Sequence, residues 1–221
     1  MKRLIAAFAA LILLSVPLSA TLGAASDWMG VVRVLRSSTV PITCDLHDQV
    51  TCSAFSINQS GGIYLSAAHC TDPLTDKDGN ITERPTLGGK FLKVLYKNNL
   101  LDIAILQADL RRPALYPRRQ SIQPGLAVGS FGYGYGMKDA PIFRTAHISA
   151  IVKSINPNTI AIVLDNGLIR GMSGGPIVDD MGRVISVNRA TDGVSGNGPA
   201  LSDIITYTRN YWESTAAPSS K

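Results

Sequence analysis

Residues 171–176 read Gly171-Met172-Ser173-Gly174-Gly175-Pro176, a serine set among glycines. Glycine permits positive φ and close approach of neighbouring atoms, so the run suits an ordinary tight turn as well as a nucleophile held against backbone N–H groups. A serine hydroxyl is a poor nucleophile at neutral pH unless a base takes its proton. The second reading therefore demands a histidine and an acid elsewhere in the chain.

The chain has three histidines. His47 sits in the polar stretch CDLHDQ, and His147 lies inside the alternating run TAHISAI, so both read as surface or packing residues. His69 is different: it closes GGIYLSAAHC (61–70), where an apolar strand-like run ends in two alanines and small neighbours leave room around an imidazole. Thirty-three residues on, LLDIAIL (100–106) holds Asp102 between Leu100, Leu101, Ile103 and Ile105. A carboxylate in such surroundings costs several kcal/mol unless it is paired. It reads either as a turn cap at the start of a strand or as the acid that receives an imidazole Nδ1–H and fixes its tautomer.

Around these residues, glycine, proline and polar turns separate short apolar or alternating runs. VVRVL (31–35), TCSAFSI (51–57), IYLSA (63–67), FLKVLY (91–96), DIAIL (102–106), LAVGSF (126–131), FRTAHISAIV (143–152), TIAIVL (159–164), GPIVDD (175–180) and RVISVN (183–188) read as strands, which argues for an all-β barrel or sandwich. Only the end reads as a helix: after Ser202 as N-cap, Ile204, Ile205, Tyr207, Thr208, Tyr211 and Trp212 share one face. The proline- and arginine-bearing stretch 113–122 is the expected linker between a first half at 26–112 and a second at 123–214, with 215–221 as a disordered tail.

The first 25 residues combine Lys2 and Arg3, an apolar run from Leu4 to Leu18 and small residues from Ala20, the pattern of a secretory signal peptide. The apolar run is shorter than the roughly 20 residues a bilayer span requires. A secreted or periplasmic chain with no membrane attachment after cleavage is expected. Setting the leader aside leaves 19 Lys and Arg against 16 acids, and the pairs Arg111–Arg112 and Arg118–Arg119 have no aromatic residues among them, so they read as a solvated linker and no nucleic-acid partner is expected. The three cysteines, Cys44, Cys52 and Cys70, allow one disulfide with one thiol over. No CxxC or histidine-rich spacing occurs, so neither a metal nor another cofactor is expected.

SAAHC, DIAIL and GMSGGP, in the order histidine, aspartate, serine, resemble the motifs of trypsin-like serine peptidases of the chymotrypsin fold. FSINQSGGIYLSAAHC and SGGPIVDDMGRVISVNRA are most similar to the bacterial HtrA-type protease domain. The resemblance runs from about residue 50 to about 205, and no PDZ domain is expected after it. It implies two six-stranded antiparallel β-barrels with a short C-terminal helix, and a serine endopeptidase acting on protein or peptide substrates. His69, Asp102 and Ser173 would be catalytic, and the N–H groups of Gly171 and Ser173 would form the oxyanion hole. Where trypsin has an acid immediately before its serine, here stands Met172, so activation by an ion pair to a freshly cut N-terminus is not expected. Gly167, Leu168 and Ile169 fall where trypsin places its specificity acid, and Asn188, Arg189 and Ala190 correspond to the opposite wall. With no acid there, cleavage after small or medium uncharged residues is expected. The family's usual disulfide corresponds to Cys52–Cys70, with Cys44–Cys52 the competing pair. The rival readings are a catalytically silent binding module of the same fold and a serine esterase, whose elbow pattern GMSGG also fits.

Overall fold

The computed structural model describes residues 27–46, 49–153, 160–191 and 196–212; the expected leader, His47 and the expected tail lie outside these residues. The chain begins with a helix, α1 (Trp28–Ser38), and continues through β1 (Thr39–Cys44), β2 (Val50–Asn58), β3 (Ile63–Ser66), a 3₁₀ turn (Ala68–Thr71), β4 (Leu74–Thr75), β5 (Ile81–Glu83), β6 (Pro85–Leu87), β7 (Lys90–Phe91), β8 (Lys93–Asn98) and β9 (Ile103–Gln107). The second half holds β10 (Ala127–Tyr133), β11 (Pro141–Lys153), β12 (Ile160–Leu164), β13 (Pro176–Val178), β14 (Val184–Val187), β15 (Ala190–Thr191), β16 (Gly196–Pro199) and α2 (Leu201–Thr208).

The strands form two antiparallel sheets of seven strands, ordered β7-β6-β1-β2-β3-β9-β8 and β14-β13-β10-β11-β12-β16-β15, with β4 and β5 as a separate ribbon. The fold is mostly β and chymotrypsin-like. The six strands expected per half become seven because pieces of only two residues, β7 and β15, pair at the sheet edges.

Period-two alternation explains how each sheet fills space on both faces. In β2 and β3, Cys52, Ala54 and Tyr64 point into a cluster within the first sheet, whereas Phe55, Ile57, Ile63 and Leu65 join a cluster shared with the second half. That shared core adds Phe131, Val178, Val184 and Val187 from the second sheet and Leu201 and Ile204 from α2. A third cluster, including Val128, Ile148, Ile162 and Ile185, fills the second sheet. The two halves are therefore joined by an apolar core, and burying each large aliphatic side chain contributes about 1.5–3 kcal/mol.

Three expectations need correction. VVRVL is not a strand but the middle of α1, whose N-cap Asp27 accepts from the Met29 and Gly30 N–H groups. Val31 and Leu35 of α1 are buried in the shared core and Trp28 stacks at a tilt on Phe143. Tertiary burial of that face overrides the strand preference of the valines. At the other end, α2 starts two residues earlier than expected, with Ala200 rather than Ser202 in the N-cap position. The arginines of 111–119 are not uniformly solvated: the Arg118 side chain is 14% exposed and donates to the fully buried Asp179 at 2.6 Å. Among the described residues no helix is long and apolar enough to cross a membrane.

Candidate active site

The end of β3 brings His69 into position. Ala67 and Ala68 are fully buried, and their lack of bulk lets the 3₁₀ turn pack tightly so that His69 leaves it with its side chain 47% exposed. Asp102 sits at the β8–β9 turn in a left-handed conformation, φ 55, which costs a non-glycine residue of order 1–3 kcal/mol. That twist turns both carboxylate oxygens toward His69. Oδ1 accepts the His69 backbone N–H at 2.9 Å and Oδ2 lies 2.8 Å from Nδ1. The acid is 17% exposed rather than sealed in apolar surroundings, because Leu101 is buried while Leu100 turns out to solvent.

Ser173 lies on the loop between β12 and β13. Two glycines carry the loop through positions no other residue fits: Gly171 has φ 97 and a Cβ there would stand 2.5 Å from the Tyr133 carbonyl oxygen, while at Gly174, φ 82, it would meet Ser53 O and Ser66 Oγ at 2.2 Å. Met172, between them, is fully buried and its N–H is spent on the Ile169 carbonyl at 3.0 Å. No described hydrogen bond uses the N–H of Gly171 or of Ser173. These two donors are what an anion-stabilising pocket requires.

The loop is fastened by residues of both sheets. Ser53 of β2, fully buried, donates its N–H to Ser173 O at 2.7 Å and its hydroxyl to Gly171 O at 3.0 Å, and accepts the Tyr133 N–H at 2.9 Å. Asn188, also fully buried, donates its side-chain amide to the carbonyls of Phe131 and Met172, each at 3.2 Å, while its backbone carbonyl accepts the Gly174 N–H at 2.7 Å. Ser53 escaped the sequence reading, whose only signal was a serine inside an apolar strand.

His69, Gly171 and Ser173 line one cleft of about 460 Å³, together with Gln49, Cys52, Cys70, Tyr135 and Arg170. The Ser173 hydroxyl donates to the Arg189 carbonyl at 3.3 Å. The Nε2 of His69 lies 3.6 Å from Cys70 Sγ. Cys52 and Cys70 are disulfide-bonded across a Cα–Cα distance of 5.8 Å, and Cys44 is a free, buried thiol. Burial, with Glu83 next to it, pushes that thiol up to about 11.

The residues expected to hold substrate are distributed unevenly. Gly167 and Leu168 are buried, Leu168 in the core of the second sheet, and Ile169 is half-buried. Arg189 points its Nε at Asn197 Oδ1, 3.2 Å away, and donates its N–H to the Asn197 carbonyl, while Ala190 begins β15. A larger groove of about 880 Å³, between residues 117–122 and α2, contains none of these residues.

The model of the trypsin-like peptidase domain matches residues 52–187. Among solved structures, the active form of the Rv3671c protease from M. tuberculosis superposes with a TM-score of 0.63 at 20% identity, over 81% of this chain and 82% of that one. The HtrA-type protease AlgW with a decapeptide gives 0.66 at 19% over 83% and 67%, and a serine endoprotease from Yersinia pestis 0.64 at 19% over 83% and 65%. At such identities the likeness is one of fold. No curated protein matches the chain in sequence.

Proposed function

The chain belongs to the trypsin-like peptidase domain family, and from that premise we propose that it is an exported serine endopeptidase with Ser173 as nucleophile, His69 as base and Asp102 as the acid that orients the base. The observation that carries this reading is the Asp102 carboxylate at 2.8 Å from Nδ1 of an imidazole that shares its cleft with Ser173. With Nδ1–H held by Asp102, Nε2 keeps its lone pair for the serine proton. Rotation of the Ser173 side chain away from the Arg189 carbonyl delivers the hydroxyl to His69. Attack on the substrate carbonyl places negative charge on its oxygen, which the Gly171 and Ser173 N–H groups receive, and His69 then returns the proton to the leaving amine.

Cleavage after small or medium uncharged residues is supported by the absence of an acid among Gly167, Leu168 and Ile169. Export is supported by the basic start and apolar run of the first 25 residues and by the disulfide. The antiparallel sheets do not accommodate the parallel α/β-hydrolase architecture that the GMSGG pattern also fits. Turnover of a peptide library by the signal-cleaved chain tests the assignment. Hydrolysis after Ala, Val or similar residues, falling by about 10⁴ in kcat for Asp102→Asn, is the expected result. A profile dominated by Lys or Arg contradicts the specificity, and an Asp102→Asn chain of full activity contradicts the mechanism.

A further inference from the structure

The cleft contains two sulfur atoms that peptide hydrolysis does not use, set beside the imidazole that it does. Cys52 Sγ, Cys70 Sγ and a ring nitrogen of His69 all lie within 4.8 Å of one another. As long as the two sulfurs are bonded to each other, neither is a thiolate. We propose that reduction of the Cys52–Cys70 bond turns this corner of the cleft into a site for one thiophilic divalent metal ion, held by both thiolates and His69 Nε2, and that filling the site switches the peptidase off.

Tetrahedral coordination with metal–sulfur bonds of about 2.3 Å and a metal–nitrogen bond of about 2.0 Å separates sulfur from nitrogen by about 3.5 Å. His69 Nε2 already stands 3.6 Å from Cys70 Sγ, so one edge of the tetrahedron is in place. The other sulfur needs only to move apart from its partner once the bond between them is gone. Asp102, on Nδ1 at 2.8 Å, fixes the tautomer that leaves Nε2 free to ligate, and a carboxylate behind a ligating imidazole strengthens it as a ligand. Two thiolates cancel the charge of a divalent ion, and the fourth position faces the cleft. Cys44 lines the same cleft, but its thiol holds its proton to high pH, which makes it a poor competitor.

The chemistry balances with a dithiol as reductant. It passes two electrons and two protons to the Cys52–Cys70 bond and closes to its own disulfide; the metal ion then displaces the two thiol protons to solvent. The inhibitory half of the proposal rests on His69 being the base, since a metal on Nε2 removes the lone pair that takes the serine proton.

Cobalt(II) is the probe, added to the whole signal-cleaved chain carrying Cys44→Ser, before and after reduction with a phosphine, which offers no thiolate of its own. The expected result is one equivalent of cobalt bound after reduction only, with thiolate-to-metal charge transfer and tetrahedral d–d absorption. Affinity should fall at least tenfold in His69→Ala, and both bands should vanish in Cys52→Ser/Cys70→Ser. Zinc(II) should lower fluorophosphonate labelling of the reduced chain at least tenfold, with recovery on chelation. No bands after reduction, the same titration in His69→Ala as in the parent, or loss of the folded near-ultraviolet circular dichroism on reduction each overturns the site. Missing bands with labelling intact sink this inference alone; bands without labelling in either redox state sink the peptidase reading and leave the metal site standing.

Discussion

At the scale of single residues, the site depends on groups that leave almost no room for substitution. Gly171 is the sharpest case, since a methyl group there would stand 2.5 Å from a backbone oxygen that cannot move without displacing β10. Gly171→Ala should swing its N–H away from the cleft and lower kcat by about 10²–10³, the usual cost of one oxyanion donor, while circular dichroism still reports the native sheets; unchanged kcat would show that this N–H is not used. Ser53 reaches the serine loop by two bonds and Tyr133 by a third. Ser53→Ala should destabilise by about 1–3 kcal/mol, because it leaves the buried Tyr133 N–H without its acceptor, and should lower kcat more than it raises KM. A denaturant midpoint and kcat both equal to those of the parent would contradict that role. The proposed triad of His69, Asp102 and Ser173 stands out in the sequence because its chemistry is rare and the flanking residues are small or apolar. Ser53 does not, and Asn188, expected on the substrate wall, is instead fully buried and anchors the serine loop, because a serine or asparagine in an apolar run does not disclose which backbone, far along the chain, it will meet.

Among the elements, α1 carries an energetic role that its composition hides. Trp28, Val31, Val32 and Leu35 recur at three-and-four spacing after Asp27, a helical signal that the strand-like valines masked. Leu35 is fully buried in the core that both halves share. Leu35→Ala should cost about 2–5 kcal/mol in chemical denaturation, while Met29→Ala on the exposed face should lie within about 0.5 kcal/mol of the parent. Equal effects would mean that the helix does not dock. The strands were read more accurately than the helices because period-two alternation registers which face is buried. The two-residue edge strands were invisible, having no period to read.

Over the whole molecule, the connection between the halves is pinned rather than slack. Leu115 is buried in the shared core, Pro117 bridges to Val184, and Arg118 and Arg183 both donate to Asp179, at 2.6 and 2.7 Å. Burial raises the Asp179 carboxyl, but bonds from the Arg183 N–H and the two guanidinium groups outweigh it and hold the group below the usual carboxylate range. A depressed folded value contributes stability that is fully present above the unfolded value of about 3.9 and is lost as pH falls through the folded one. Asp179→Asn should therefore flatten the acid limb of the stability curve and lower stability at pH 7 by about 3–5 kcal/mol, since two arginines lose their buried partner. Parallel pH profiles for parent and variant would contradict this. No sequence pattern announced the triplet, because its members are 61 and 4 residues apart and meet only once the halves have packed.

The most direct measurement is the position of a fluorophosphonate adduct, mapped by mass spectrometry on the signal-cleaved chain. One adduct is expected, on Ser173, absent from Ser173→Ala and strongly slowed in His69→Ala. An adduct on any other residue, or none on a folded chain, would contradict it.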